Sequence, residues 1–307
     1  MPSWNQVLQE LHDCKRVDAL DFVRRKYLKK LSDKTGRNVI AYYSGWLQKP
    51  NVGNAEINDD DKNGFMATIH GLDRSKGLDI ILHTPGGNLT ATESIVDYIR
   101  KMFDNNIRVI IPQIAMSAGT MIACSCSEII MGKQSNIGPI DPQFGGIPAH
   151  GVIAEFNKAI EEVKKDPDVI PIWRVIVSKY HPTFLGECEK AIDLSTQIVT
   201  DWLSENMFKD DTNKDAKIAK IVSSINNHDD TKTHSRHIHM QQAIEYGLKI
   251  KSLETDYHEL QDLVLTVHHA FMHAFAQSNA IKIIENQLES AVIYNYNPIS
   301  TSVPTLR

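Results

Sequence analysis

Cysteine is scarce in this chain: Cys14, Cys124, Cys126 and Cys188 are the only four in 307 residues. That excludes a disulfide-stapled fold, and Cys124-x-Cys126 has no second pair with which to complete a zinc site. The usage fits a reducing compartment, so the expected location is cytoplasmic. A basic excess is also missing. Thirty-three Lys and Arg stand against 38 Asp and Glu, a formal net charge of -5, which argues against a dedicated nucleic-acid binder. Residues 1–37 carry charges throughout and contain no apolar run of the kind a secretory signal needs. Walker A, G-x-G-x-x-G, G-x-S-x-G and H-E-x-x-H patterns are all absent, which removes the usual nucleotide, α/β-hydrolase and zincin readings. There is no internal repeat and no low-complexity tract.

What is present is apolar enough to fold. Hydrophobic residues make up 42% of the chain, too many for a disordered protein. The longest weakly charged run, residues 109–132, approaches the ~20 residues of a membrane-spanning helix. Pro112, Gln113 and Gly119 break it into a strand, a turn and a helix, so it reads as buried core and no membrane span is expected. Helical spacing at Trp4, Val7, Leu8 and Leu11, and at Leu20, Val23, Tyr27 and Leu31, predicts helices before residue 38. Strands are expected at 38–43, 78–82, 109–114 and 129–131, with helices at 58–71, 92–103, 117–126, 151–165, 194–206 and 214–226. Short apolar strands alternating with amphipathic helices predict an α/β domain with a largely parallel sheet. Residues 253–288 read as almost wholly helical, and 300–307 as a frayed end. His268, His269 and His273 are spaced for one helix face, but no carboxylate accompanies them as in a metalloprotease; they read as half-buried helix histidines, and no metal is expected.

Two turns combine small residues with the end of a strand. His83-Thr84-Pro85-Gly86-Gly87 follows DIILH, and adjacent glycines let bare backbone approach a ligand with its N–H groups forward. Ala115-Met116-Ser117-Ala118-Gly119 follows RVIIPQI and puts a serine at a strand-to-helix junction. There it is either a helix N-cap or a nucleophile. Each turn alone is an ordinary structural feature. Both, however, lie at the carboxyl edge of one predicted sheet, where α/β proteins bind ligands. In that arrangement Ser117 faces backbone N–H groups at Gly87 and Ala118, which is what an oxyanion hole requires.

These motifs resemble the ClpP/crotonase superfamily, and within it the serine dehydrogenase proteinase family, related to signal peptide peptidase A and the Clp protease proteolytic subunit. Pro85-Gly86-Gly87 is similar to the oxyanion turn of the Clp subunit, and Met116-Ser117-Ala118-Gly119 to its nucleophile turn. Gln143-Phe144-Gly145-Gly146 and Ala243-Ile244-Glu245-Tyr246-Gly247-Leu248 follow in the expected order. The resemblance covers roughly residues 38–250. It implies a ClpP/crotonase-like fold of repeated β-β-α units with N- and C-terminal helical extensions, divided as 1–37, 38–250 and 251–307. It also implies a serine-type endopeptidase acting on a peptide or protein substrate without a cofactor, and a homo-oligomer. The 253–288 helix is the expected assembly contact.

The resemblance implies Ser117 as nucleophile, an oxyanion hole from Gly86, Gly87 and Ala118, and the chain order Ser117, Asp141, His234. His234 is the expected base and Asp141 its orienting acid. His237, in the same THSRHIHM segment, is an alternative base. Lys158, 41 residues after Ser117, is another, as the lysine of a Ser–Lys dyad. Glu155, Glu161 and Glu162 surround it, and it lies opposite the expected buried face of Ile153, Phe156, Ile160 and Val163, a setting that keeps a lysine charged. Residues 137–146 are expected to form the substrate-binding edge. Two rival functions stand beside the peptidase: a crotonase-like acyl-CoA enzyme, and a catalytically silent scaffold.

Overall fold

Four runs rich in β-branched and aliphatic residues are hydrophobic with little alternation, as strands covered on both faces must be, and a short fifth, Ile-Lys-Ser, is polar. In the computed structural model, which describes residues 4–226 and 235–296, they form one sheet. β1 (Asn38–Ser44), β2 (Leu78–His83), β3 (Ile107–Ile111), β5 (Glu128–Met131) and β10 (Ile250–Ser252) run parallel in the spatial order β10-β5-β3-β2-β1. Two further strands, β11 (Ala280–Asn286) and β12 (Ala291–Asn295), continue the sheet antiparallel beyond β1. The fold is therefore α/β with a largely parallel central sheet, as expected.

The period of two along each strand divides the core. Ile40, Tyr42, Ile80, Leu82, Val109 and Ile111 enter one cluster, roofed by α4 (Leu89–Phe103), α5 (Ala118–Cys124), α8 (Phe184–Trp202) and α9 (Lys214–Asn226). Val39, Ala41, Tyr43, Ile81, Ile110 and Ile130 enter the other, beneath α2 (Ala19–Thr35) and α11 (His258–Gln277). α1 (Trp4–Asp13) packs on α2 and α11 through Val7 and Leu11. α3 (Asp61–Ile69) lies against β11 and β12. A small second sheet joins β4 (Ile114–Ala115), β6 (Asn136–Ile137) and β9 (Ile238–His239). The hairpin β7 (Gln143–Phe144) and β8 (Ile147–Pro148) leads into α6 (Ala149–Lys165) and α7 (Ile170–Val177). α10 (Met240–Tyr246) precedes β10. Residues 109–132 fall across β3, β4, α5 and β5, and among the described residues no helix is long and apolar enough to cross a membrane.

Two expectations are corrected. Residues 253–288 are not one helix: α11 ends at Gln277, and the chain turns into the β11–β12 hairpin. Two charged residues of that hairpin are fully buried, Lys282 against Asp61 and Glu285 against Arg24 and Arg25. The C-terminal extension thus supplies strands to the central sheet. α11 buries twelve of its 20 residues within the chain. The second correction concerns α6. Ala149, Val152 and Ala159 are its buried residues, whereas Ile160 is 52% exposed and lines a shallow apolar groove with Ile170 and Val177 of α7. The 300–307 tail lies outside the described residues.

Candidate active site

β2 and β3 are parallel neighbours, so the turns that follow them leave the same edge of the sheet. Ladder bonds then tie the turns together. Thr84 N–H donates to Ile114 O at 3.1 Å, and Met116 N–H donates to Thr84 O at 3.1 Å. Beyond this bridge the oxyanion turn meets the serine turn directly. A Cβ on Gly86 would lie 2.7 Å from Ser117 Cβ and 2.8 Å from Met116 O, at a φ of +101°. Only glycine fits there. A Cβ on Gly87 would collide with the backbone of Ile57, which bridges Gly87 in parallel on the other side.

Ser117 stands at the N-cap of α5 but makes no side-chain capping bond. Its backbone has φ +50° and ψ −115°, a strained setting for a residue with a side chain. It is half-buried and lines a cleft of about 530 Å³ with Gly86, Gly87 and Ala118. The donors around it differ. Gly86 N–H is engaged by Thr84 Oγ1 at 3.1 Å. Gly86 O accepts from Ile57 N–H, and Asn88 N–H donates to Ile57 O. This parallel pattern turns the N–H of the residue between them, Gly87, away from Ile57. Among the described residues neither Gly87 N–H nor Ala118 N–H has an acceptor.

The third segment of the site is held by Thr120 of α5. Its Oγ1 accepts from Gly138 N–H at 2.9 Å and lies 3.0 Å from Ala115 O. Residues 136–141 are thereby fixed over α5, and Ile140, Pro142, Gln143, Phe144 and Gly146 form one cleft wall. Asp141 is 1% exposed. Burial pushes the neighbouring Cys188 thiol up, and the Asp141 charge pushes it further. Ile140 N–H donates to Ile225 O at 3.0 Å at the end of α9, while Ile137 pairs with Ile238 in β9. The chain leaving α9 and the chain entering β9 are both docked beside the Asp141 segment.

His234 itself lies outside the described residues. His237 is exposed and immediately precedes β9. Lys158 is far from the setting a base needs: its side chain is 66% exposed and lies 3.8 Å from Glu162 on α6. It is not among the cleft residues.

Several cleft residues gave no sequence signal. Ala191 and Ser195 of α8 line the cleft, as does Glu56, the residue before the Ile57 bridge. His83, next to the oxyanion turn, is also new to the site. Its Nδ1 donates to Ser44 O at 3.2 Å, and its Nε2 is 3.1 Å from the side-chain amide of Gln113, in the loop before β4. The ring stacks near Trp46 and Tyr43. Burial pushes its pKa down to about 4, so the neutral ring links the ends of β2 and β3.

Residues 11–270 match the family described as ClpP-like SDH-type serine proteinase. Two curated relatives come from Methanocaldococcus jannaschii. Uncharacterized protein MJ0137 is 33% identical over 153 residues, 48% of this chain and 51% of the relative. Uncharacterized protein MJ1495 is 29% identical over 196 residues, 64% of this chain and 59% of the relative. The chain thus spans little more than half the length of the curated relatives it matches. A solved structure of a mutant of the 1510-N membrane-bound stomatin-specific protease is similar with a TM-score of 0.41 and 16% identity, covering 67% of this chain and 79% of the other.

Proposed function

Because the chain belongs to the ClpP-like, SDH-type serine proteinases, we propose that it is an endopeptidase whose nucleophile is Ser117. The observation that carries this is the juxtaposition of the two turns. A strained serine hydroxyl, not spent on capping, shares a cleft with two backbone amides, at Gly87 and Ala118, that have no acceptor among the described residues. A peptide carbonyl placed there has its carbon in reach of Oγ and its oxygen between two donors, which stabilise the tetrahedral oxyanion more than the planar ground state. Gly86 contributes clearance, since its own amide is engaged by Thr84.

The base in this reading is His234, oriented by Asp141. Ser117 Oγ attacks the carbonyl carbon as its proton passes to the imidazole; the same proton then goes to the leaving amine, giving an acyl-enzyme that water resolves by the reverse steps. Support comes from the docking of both flanks of residues 227–234 beside the buried Asp141. His237 is the alternative within the same segment. A Ser117–Lys158 dyad has less in its favour, because Lys158 is exposed beside Glu162 and is not among the cleft residues. The substrate is a peptide or protein segment lying extended along the β7–β8 hairpin, whose Gln143 and Phe144 line the cleft. The active form is a homo-oligomer in a reducing, cytoplasmic setting.

Fluorophosphonate labelling with mass spectrometry tests the assignment. An adduct on Ser117 is expected in the wild type, lost in His234→Ala and retained in Lys158→Ala. Loss in Lys158→Ala with retention in His234→Ala moves the enzyme to the dyad class. No adduct on Ser117 in any form removes the peptidase reading.

A further inference from the structure

The oxyanion turn is not self-supporting. Gly86 O and Asn88 N–H are both bonded to one residue, Ile57, in a loop segment that belongs to no regular element. What holds that segment comes from far along the chain. Lys282 of β11 is 1% exposed; its Nζ donates to Glu56 O at 2.9 Å and lies 2.7 Å from Asp61 Oδ1. The other Asp61 oxygen accepts from Asn58 N–H at 2.9 Å and from Tyr42 O–H at 2.8 Å. Ser44, the register partner of Lys282 on β1, donates to Ala55 O at 2.6 Å. The backbone on either side of Ile57 is thus clamped at residues 55, 56 and 58. The clamp is built on a buried ion pair that costs desolvation and that an apolar pair of similar volume would avoid.

We infer that Lys282, with Asp61, is a positioning residue for the oxyanion turn: it fixes the Glu56–Asn58 backbone, and that backbone aims Gly87 N–H by holding its two neighbours. The inference rests on the reading of Gly87 as an oxyanion donor. It adds that this donor is aimed from a strand beyond the family-matched residues 11–270. The ammonium suits the task because it donates to the Glu56 carbonyl while its charge pairs with the Asp61 carboxylate. An aliphatic side chain at 282 can fill the space but cannot hold a carbonyl.

The test compares the wild type with Lys282→Met and with the double variant Lys282→Met/Asp61→Asn. The double variant removes the clamp without leaving a buried carboxylate unpaired, so it remains informative if the single variant fails to fold. Amide hydrogen exchange is read at Ile57 and Asn88, with Ile80, Ile81 and Leu82 of β2 as internal controls. Exchange at Ile57 and Asn88 is expected to accelerate about tenfold, with the β2 amides unchanged. In peptide hydrolysis, kcat is expected to fall about tenfold while KM stays within about twofold, because the donor acts in the transition state. Unchanged exchange at Ile57 and Asn88, or an equal acceleration along β2, overturns the positioning role. A wild-type protein whose Ser117 never labels overturns the peptidase reading instead, and the exchange data still decide what Lys282 does.

Discussion

At the scale of single residues, the site stores strain where chemistry needs it. Ser117 holds a positive φ that a glycine would adopt freely. Ser117→Gly is therefore expected to abolish labelling yet raise stability by about 1–2 kcal/mol in urea unfolding. A variant destabilised by this change would show that the turn is unstrained. Gly87 presents the opposite case, since any Cβ there meets the Ile57 backbone. Gly87→Ala must push the turn away from Ile57, and turnover is expected to drop by about 10²–10³, the effect of losing one oxyanion donor. His83 adds a pH dependence. Its pKa is depressed to about 4 from 6.5, so its contribution to stability is complete above 6.5 and is lost as pH falls towards 4. The full loss amounts to about 3 kcal/mol. His83→Gln should flatten the change in urea midpoint between pH 7 and pH 5, and an unchanged slope would assign the acid sensitivity elsewhere.

At the scale of elements, the β11–β12 hairpin does more than close an edge. Glu285 is fully buried between Arg24 and Arg25 of α2, at 3.0 and 2.7 Å, and so pins the N-terminal helices to the sheet. Breaking this pairing takes from the buried Arg24 the partner of its Nε and leaves it only Asp21 and Leu20 O. Glu285→Ala is expected to cost about 3–5 kcal/mol, measured as a lowered urea midpoint with an unchanged slope. A loss under about 1 kcal/mol would mean that α2 is held by its apolar contacts alone. The same hairpin carries Lys282, so β11 serves both packing and the geometry of the oxyanion turn. α5 and the 136–141 segment form the second functional pairing of elements. Thr120 Oγ1, bonded to the Gly138 amide, sets their distance.

At the scale of the whole molecule, the central sheet is a frame. Its parallel strands deliver both turns of the candidate site to one edge, and its antiparallel hairpin braces that edge from the far side. The other buried helix imidazoles add to the acid sensitivity of His83. Burial also lowers the pKa of His268, His269 and His273, so each favours the folded state above its unfolded pKa and opposes it below. The proposed homo-oligomer is checked by sedimentation equilibrium, where a multiple of 34.6 kDa is expected. A species of 34.6 kDa that is fully active would remove it.

The sequence by itself determined the parallel α/β class, and it made both turns of the candidate site legible, with Ser117 in the second. Local chemistry suffices there. A strand buried on both faces reads as a continuous apolar run, and a turn needing bare backbone reads as paired glycines. Lys158 could also be judged from its acidic neighbours on α6. Only the tertiary structure decided the rest. Residues 280–286 read as part of a helix but form β11, whose Lys282 and Glu285 are buried by partners, Asp61 and Arg24, that lie more than two hundred residues earlier in the chain. Glu56, Ala191 and Ser195 join the cleft through packing that no short window encodes. Which glycine amide is engaged and which has no acceptor depends on Thr84 and on the Ile57 bridge, a contact between segments that only the closed sheet brings together. A hydrogen-bond inventory is a property of neighbours in space, and for this site those neighbours come from well-separated stretches of the chain.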